Sequence, residues 1–343
     1  MTTANLNPQP IKGRQIPDRL KSPAERALRS WESLLFVVMV AIFVINSLAS
    51  PYFLDPWNLS DASFNFTEKA LVALALALVI ISGEIDLSVA AIIAVSSTMM
   101  GTAMQFGAGP AELVLVGLAT GLACGAINGW LVTGLGLPSI VVTIGTMSLF
   151  RGIAYIILGD KAYTNYPEGF AWFGQGYVWW VFSFELVLFA IMAVLFYILL
   201  HRTSFGRRVY AIGNNPTAAV FSGVRVARVK FILFLLTGLM SGIAAVCLTS
   251  RLGSTRPSIA TGMELEIVTM VVLAGVNING GSGSIPGIVL AAIIMGLVTF
   301  GFGLLNVPGI VMSIFIGLLL ILVIGVPVIA GRISGRRKAA GGH

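Results

Sequence analysis

Apolar residues in this chain run in long unbroken stretches, 34 to 49 and 310 to 329 among them, and do not alternate with polar ones. Alternation with period two would mark a transmembrane β-barrel, whereas a helix needs about 20 predominantly apolar residues to cross the hydrocarbon layer. Apolar runs bounded by polar, Gly or Pro residues predict ten helical spans: 34–49, 62–81, 88–106, 112–133, 138–158, 178–200, 229–249, 265–278, 285–304 and 308–330. The expected fold class is an all-α, polytopic membrane protein, and an even span count puts both termini on one side. Two spans are weak. The run at 265–278 is short for a crossing, and extending the clean core at 70–81 outward brings Asn65, Thr67, Glu68 and Lys69 to membrane depth. Ionisable residues there belong at the interface or against a protein interior.

Smaller patterns sit inside the runs. Gly117, Gly121, Gly125 and Gly129 recur every fourth residue in the fourth span, and Gly238 and Gly242 repeat this in the seventh. Such stripes let a neighbouring helix approach backbone to backbone, and they read as packing devices. LPSIVVTI (137–144) and VPGIVMSI (307–314) are identical at four of eight positions. One opens a span from inside and the other from outside, the arrangement of an inverted repeat pairing spans two to five with seven to ten. Two apolar strings can also share this much by chance.

Composition agrees with the pattern: 57% of the 343 residues are hydrophobic and 10% are charged, against about 25% charged in soluble domains. A net charge of +7 raises the question of nucleic acid, but the cations sit at segment ends. Six precede Trp31, six lie from Arg202 to Lys230 (with Arg207, Arg208, Arg225 and Arg228), and four close the chain from Arg332 to Lys338. That is the bias of cytoplasmic flanks, and nucleic acid is not needed to explain it. Three regions follow: a disordered basic tail at 1–33, a transmembrane domain at 34–330 with a cytoplasmic loop at 201–228, and a basic tail at 331–343. The proline-containing first segment suits a cytoplasmic tail better than a secretory leader. Cys124 and Cys247 lie in apolar runs and read as small packing residues.

Candidate chemistry is sparse. His201 and His343 are the only histidines, which leaves no metal-ligand pair and no base for a nucleophile. His201 reads as an interfacial residue. There is no Gly-Lys dipeptide and therefore no Walker A phosphate loop, so energy from ATP must come from another chain. SGEIDLSV (82–89) places Glu84 and Asp86 between two spans; they are either a solvated acidic loop or carboxylates at a helix break, where transporters build sites. Arg151 stands inside the fifth span and either lines a passage or staples helices through a carbonyl or a carboxylate such as Glu68. Asn128 and Thr146 either line the path or bond helix to helix. GGSGSIPG (280–287) reads as a tight cytoplasmic turn. In the basic loop, Asn215 is expected to cap a short helix with Pro216 at its first position. That helix suits docking on a soluble partner, with a lipid-headgroup anchor as the alternative.

Four motifs in order carry a family resemblance: SGEIDLSV from Ser82, TIGTMSLFRG from Thr143, FGRRVYAIGNNPTAAVFSGV from Phe205, and VLAGVNINGGSGSIPG from Val272. Over residues 62–330 the chain resembles the permease subunit of ABC importers of the ribose, xylose and rhamnose class. The resemblance implies ATP-driven uptake of a monosaccharide (a pentose, a hexose or a deoxyhexose such as rhamnose) across the bacterial inner membrane. It implies partners too: a second permease copy or a paralogue, ABC ATPase subunits that use the ATP, and a periplasmic sugar-binding protein. This chain itself is expected to bind no cofactor or metal and to have no catalytic residue. Gly206, Arg207, Tyr210, Gly213, Asn215, Ala218 and Gly223 resemble the family's ATPase-coupling loop. Two departures, Ala90 for a Gly and Asn214-Asn215 for Gly-Asn, leave the sugar open. The alternative to an ABC permease is an ion-coupled secondary transporter, motivated by the possible repeat and by Glu68, Lys69 and Arg151.

Overall fold

The computed structural model describes residues 30–318 and residue 321, so most of the N-terminal tail, the tenth span beyond 318 apart from 321, and the C-terminal tail lie outside the described residues. Helix α1 (Trp31–Ala49) begins at Ser30, whose hydroxyl accepts from the Ser33 amide at 3.2 Å. It lies along α13 (Ile285–Leu304), tied by Trp31 Nε1 to the Leu273 carbonyl (2.9 Å) and by Asn46 Nδ2 to that of Leu297 (2.8 Å).

The second span is broken. Helix α2 (Pro56–Phe64), capped by Asp55, meets α3 (Thr67–Ile81) at a bend of 49°. The sequence ALVALALALVII is apolar on every side, and such a helix is stable only when surrounded. Every residue from Ala70 to Ile81 is buried, enclosed by α8 (Phe184–Tyr197), α11 (Val226–Leu252), α12 (Met263–Leu273) and α13. Next come α4 (Val89–Gln105), α5 (Pro110–Thr133) and α6 (Ser139–Leu158).

The sixth span differs from expectation. The sequence pattern predicts 178–200, but residues 177–183 form an antiparallel hairpin, β1 (Tyr177–Trp179) with β2 (Phe182–Ser183), after the short α7 (Trp172–Gln175). Trp180, at φ 44, turns the chain, and Ser183 then caps α8 (Phe184–Tyr197) by accepting from the Leu186 amide. Aromatic residues fit strand and membrane helix alike, so composition did not show where one ended. Helix α8 runs into a π-helical turn, Ile198–Arg202.

Two loop helices follow, α9 (Ser204–Asn214) and α10 (Pro216–Phe221), then the long α11 (Val226–Leu252), the short α12 (Met263–Leu273), α13 and α14 (Gly309–Leu318). The glycine stripes meet: a Cβ on Gly121 or Gly125 would run into the backbone of Gly238, and one on Gly238 into that of Gly121. Helices α5 and α11 therefore touch backbone to backbone, in the most extensive helix pairing among the described residues.

Six described helices are long and apolar enough to cross a membrane, or seven if α2 and α3 form one span. Helices α4, α12 and α14 are shorter, and α12 stops at Ala274, before the expected residue 278, because Gly275 takes φ 85. The molecule is thus a polytopic helical membrane protein. The two similar octapeptides each open a helix, α6 at Ser139 and α14 at Gly309.

Candidate functional site

At one end of the bundle, the basic loop lies on two helix breaks, 82–88 after α3 and 274–284 after α12. Thr203 starts α9 by accepting from the amides of Phe205 (3.2 Å) and Gly206 (3.3 Å). Helix α9 is amphipathic: Gly206, Val209 and Ile212 are buried while Arg207 and Arg208 are exposed. Gly206 packs against the Leu200 carbonyl, where a side chain has no room.

At Gly213 three backbones converge. A Cβ there would overlap the Ile81 carbonyl oxygen and crowd the Gly281 nitrogen, while the Gly281 amide itself donates to the Ile81 carbonyl at 2.9 Å. Tyr210 donates its hydroxyl to the Gly283 carbonyl at 2.7 Å, and burial pushes the phenol above its ordinary pKa, so it remains a donor. Asn214 Nδ2 reaches the carbonyls of Tyr210 (2.8 Å) and Gly281 (3.3 Å). His201 Nε2 accepts from the Ile285 amide at the start of α13 (3.3 Å). Helix α9 is therefore bonded to the second break and packed against the last residue of α3, where the first break begins.

Asn215 caps α10 as expected, its Oδ1 accepting from the Ala218 amide at 3.0 Å. Gly223, at φ 79, turns the chain into α11. Between them α10 stands proud, with Val220 and Phe221 exposed and Arg225 and Arg228 exposed beside them. Below it a groove of about 680 Å³ is lined by Glu84, Leu137, Val220, Val224, Arg225 and Lys230.

The 82–88 break is not a solvated loop. Glu84 forms an ion pair with Lys230 of α11. The amide of Ile85 donates to Ser139 Oγ at 3.1 Å and Thr143 Oγ1 donates to the Ile85 carbonyl at 3.3 Å, which binds the break to α6. Asp86 is fully buried: Oδ1 accepts from the Ser88 amide (2.9 Å) and hydroxyl (2.7 Å), and Oδ2 from Thr237 Oγ1 (3.1 Å). Asn128 of α5 donates to Ser88 Oγ at 2.7 Å. These bonds clip the start of α4 to α5, α6 and α11.

Other candidates lie elsewhere. Arg151 donates through Nη1 to the carbonyls of Pro257 (2.9 Å) and Ile259 (2.6 Å), so it staples α6 to the 253–262 connection. Of the two suggested partners it takes carbonyls and not Glu68, which pairs at 2.7 Å with Arg251 Nε. Lys69 pairs with Glu266. Thr146 is buried and bonds the Thr143 carbonyl of its own helix at 3.4 Å. Among the described residues no three His, Cys, Asp or Glu side chains are grouped to hold a metal.

Sequence reasoning missed Lys230 as the partner of Glu84, Asn214 as the clamp on the glycine turn, and Arg251 as the partner of Glu68. Lys230 and Arg251 sit at predicted span boundaries, where a lone ionisable residue is the signal that was available, whereas Asn214 lies mid-loop and carried no such signal.

Comparison with known proteins bears on this arrangement. The family described as "Branched-chain amino acid transport system / permease component" matches residues 58–324. The Autoinducer 2 import system permease protein LsrD of Enterobacter sp. is 34% identical over 301 residues, covering 86% of this chain and 92% of the relative. The protein of the same name from Yersinia enterocolitica is 36% identical over 300 residues, 86% of this chain and 90% of the relative. The Ribose import permease protein RbsC of Bacillus subtilis is 34% identical over 293 residues, 84% and 90% respectively. No solved structure matches. With the matched region spanning both helix breaks and the basic loop fastened to them, the chain belongs to this permease family and, within it, to the ribose-class ABC import permeases whose motifs it carries.

Proposed function

We propose that the chain is the translocating subunit of an ATP-driven importer that carries a monosaccharide, or a sugar-like polyhydroxylated solute of similar size, into the cytoplasm. The observation that supports this most is the attachment of α9 to the end of α3 and to the second break through Gly213, Tyr210 and Asn214. A push on the exposed α10 reaches, through α9, the end of α3 and the 274–284 break between α12 and α13, which is what a subunit driven from outside its own chain requires. The groove beside Val220 and Val224 offers a place for a projecting element of an ATPase. In this reading the described helices complete ten spans with the undescribed C-terminal stretch. Both termini and the basic loop face the cytoplasm, and a second copy or paralogue closes the path. Similarity to a ribose permease and to autoinducer 2 permeases supports a small polyhydroxylated cargo, with ribose and deoxyhexoses such as rhamnose as the first to try.

The test is uptake into proteoliposomes of the complete complex, with ATP inside, against a panel of pentoses, hexoses and deoxyhexoses. We expect saturable uptake of at least one of them that stops when the ATPase loses its phosphate-loop lysine. Uptake that survives that change but collapses with a protonophore would establish an ion-coupled transporter instead. Glu68 and Lys69, which motivated that alternative, are engaged with Arg251 and Glu266.

A further inference from the structure

At the end of the bundle opposite the basic loop, α2 and the β1–β2 hairpin form one rigid shelf. The Tyr177 ring meets those of Trp57 (5.5 Å) and Phe64 (6.4 Å), and its hydroxyl donates to Asp61 Oδ1 at 3.1 Å. Ser60 donates to the Val181 carbonyl, and the hydroxyls of Ser63 and Ser183 lie 3.1 Å apart. The outer surface of this shelf is aromatic and uncovered: Trp179 is 73% exposed, Trp180 62% and Tyr52 69%. The Trp179 and Phe182 rings stack on each other at 5.9 Å. From 176 to 182 there is no charged side chain.

We propose that this shelf lies in the bilayer, at the boundary between headgroups and acyl chains, with the indoles of Trp179 and Trp180 as its anchors. An indole has a large apolar face and one N–H donor, and it is best solvated where hydrocarbon gives way to hydrated headgroups. The lipid-facing surface continues into the shelf. The hairpin runs directly into α8, which exposes Ile191, Val194 and Leu195, and α1, exposed along most of its length, ends beside it where Phe43 meets Phe53 at 5.1 Å. A soluble protein that docks and leaves needs a polar rim. The exposed charges at this end include Asp55 and Asp61 of α2, the latter taken up by the Tyr177 hydroxyl, and Asp160, Lys161, Glu168 and Arg256 on other connections, while the hairpin that carries the indoles has none. The shelf thus belongs to lipid and leaves those connections to soluble partners. Helix α2 leads into α3, where Glu68 is buried and pairs with the half-buried Arg251.

The test uses the full chain in nanodiscs. Subtracting the emission of a Trp179→Phe/Trp180→Phe variant from that of the unaltered protein isolates two of the six tryptophans. Lipid brominated next to its carbonyl groups should remove about half of that difference signal, while aqueous iodide removes less than about a tenth. The single variants Trp179→Phe and Trp180→Phe report each indole separately should the double variant fail to insert. Iodide quenching as strong as that by brominated lipid would overturn the assignment. Strong iodide quenching relieved only by adding the importer's soluble binding protein would overturn it too and assign the shelf to that protein.

Discussion

Gly213 is the residue on which the coupling reading depends most. Its α-carbon faces the Ile81 carbonyl and the Gly281 nitrogen with no space for a methyl group, and a larger residue must push α9 off both. Gly213→Val should leave membrane insertion intact and reduce cargo uptake by the complex at least about tenfold while ATP hydrolysis persists, since overpacking displaces backbone without unfolding every neighbour. Normal uptake by this variant would show that α9 does not carry the drive. Asp86 calls for a different outcome. With three donors aimed at it and no access to water, it is a structural clip, and Asp86→Ala leaves those donors unsatisfied. The variant should be less stable by about 1–3 kcal/mol, read as a lowered unfolding midpoint in detergent, with Asp86→Asn falling between it and the unaltered chain. Unchanged stability in Asp86→Ala would return this carboxylate to the list of possible path residues.

Among the helices, the α5–α11 seam carries a two-sided constraint, because the backbones of Gly121 and Gly238 occupy each other's side-chain space. Gly121→Leu is expected to separate the two helices and lower the yield of folded protein severalfold, a cost of about 1–3 kcal/mol or more for an overpacked contact. Gly145→Leu, at an exposed position where a Cβ meets open space, should be tolerated. Equal yields for the two would mean the seam is not needed. The stripe itself was readable in sequence because a spacing of four is a local property of one helix. The partner stripe was readable for the same reason, but that the two face each other was not. The sixth span shows where such reading fails. Tyr177 to Phe182 are apolar enough to continue a membrane helix, and the hairpin formed instead because Ser60, Asp61 and Ser63 of α2 offer it bonding partners.

For the molecule as a whole, the topology can be checked by labelling. Ser222 lies exposed beside the α10 helix and Lys161 on a connection at the opposite end, while the native Cys124 and Cys247 are buried and give little background. In intact cells a membrane-impermeant maleimide should modify Lys161→Cys and leave Ser222→Cys untouched, with the pattern reversed in inside-out vesicles. Labelling of both from one side would refute the arrangement with the basic loop in the cytoplasm. Local information was enough for a large part of this protein: the helical class, the position of most helices, the asymmetric placement of cations, the Asn215 cap and the family motifs all follow from hydropathy, charge and spacing within short windows. Long-range pairings were decided by packing. Glu84 with Lys230, Glu68 with Arg251, Arg151 with the carbonyls of Pro257 and Ile259, and Gly213 against Ile81 and Gly281 each join residues far apart in the chain. A buried charge or backbone group in a membrane protein must find a partner, but its own segment states only that need, and the partner is whichever group the assembled helices bring within reach.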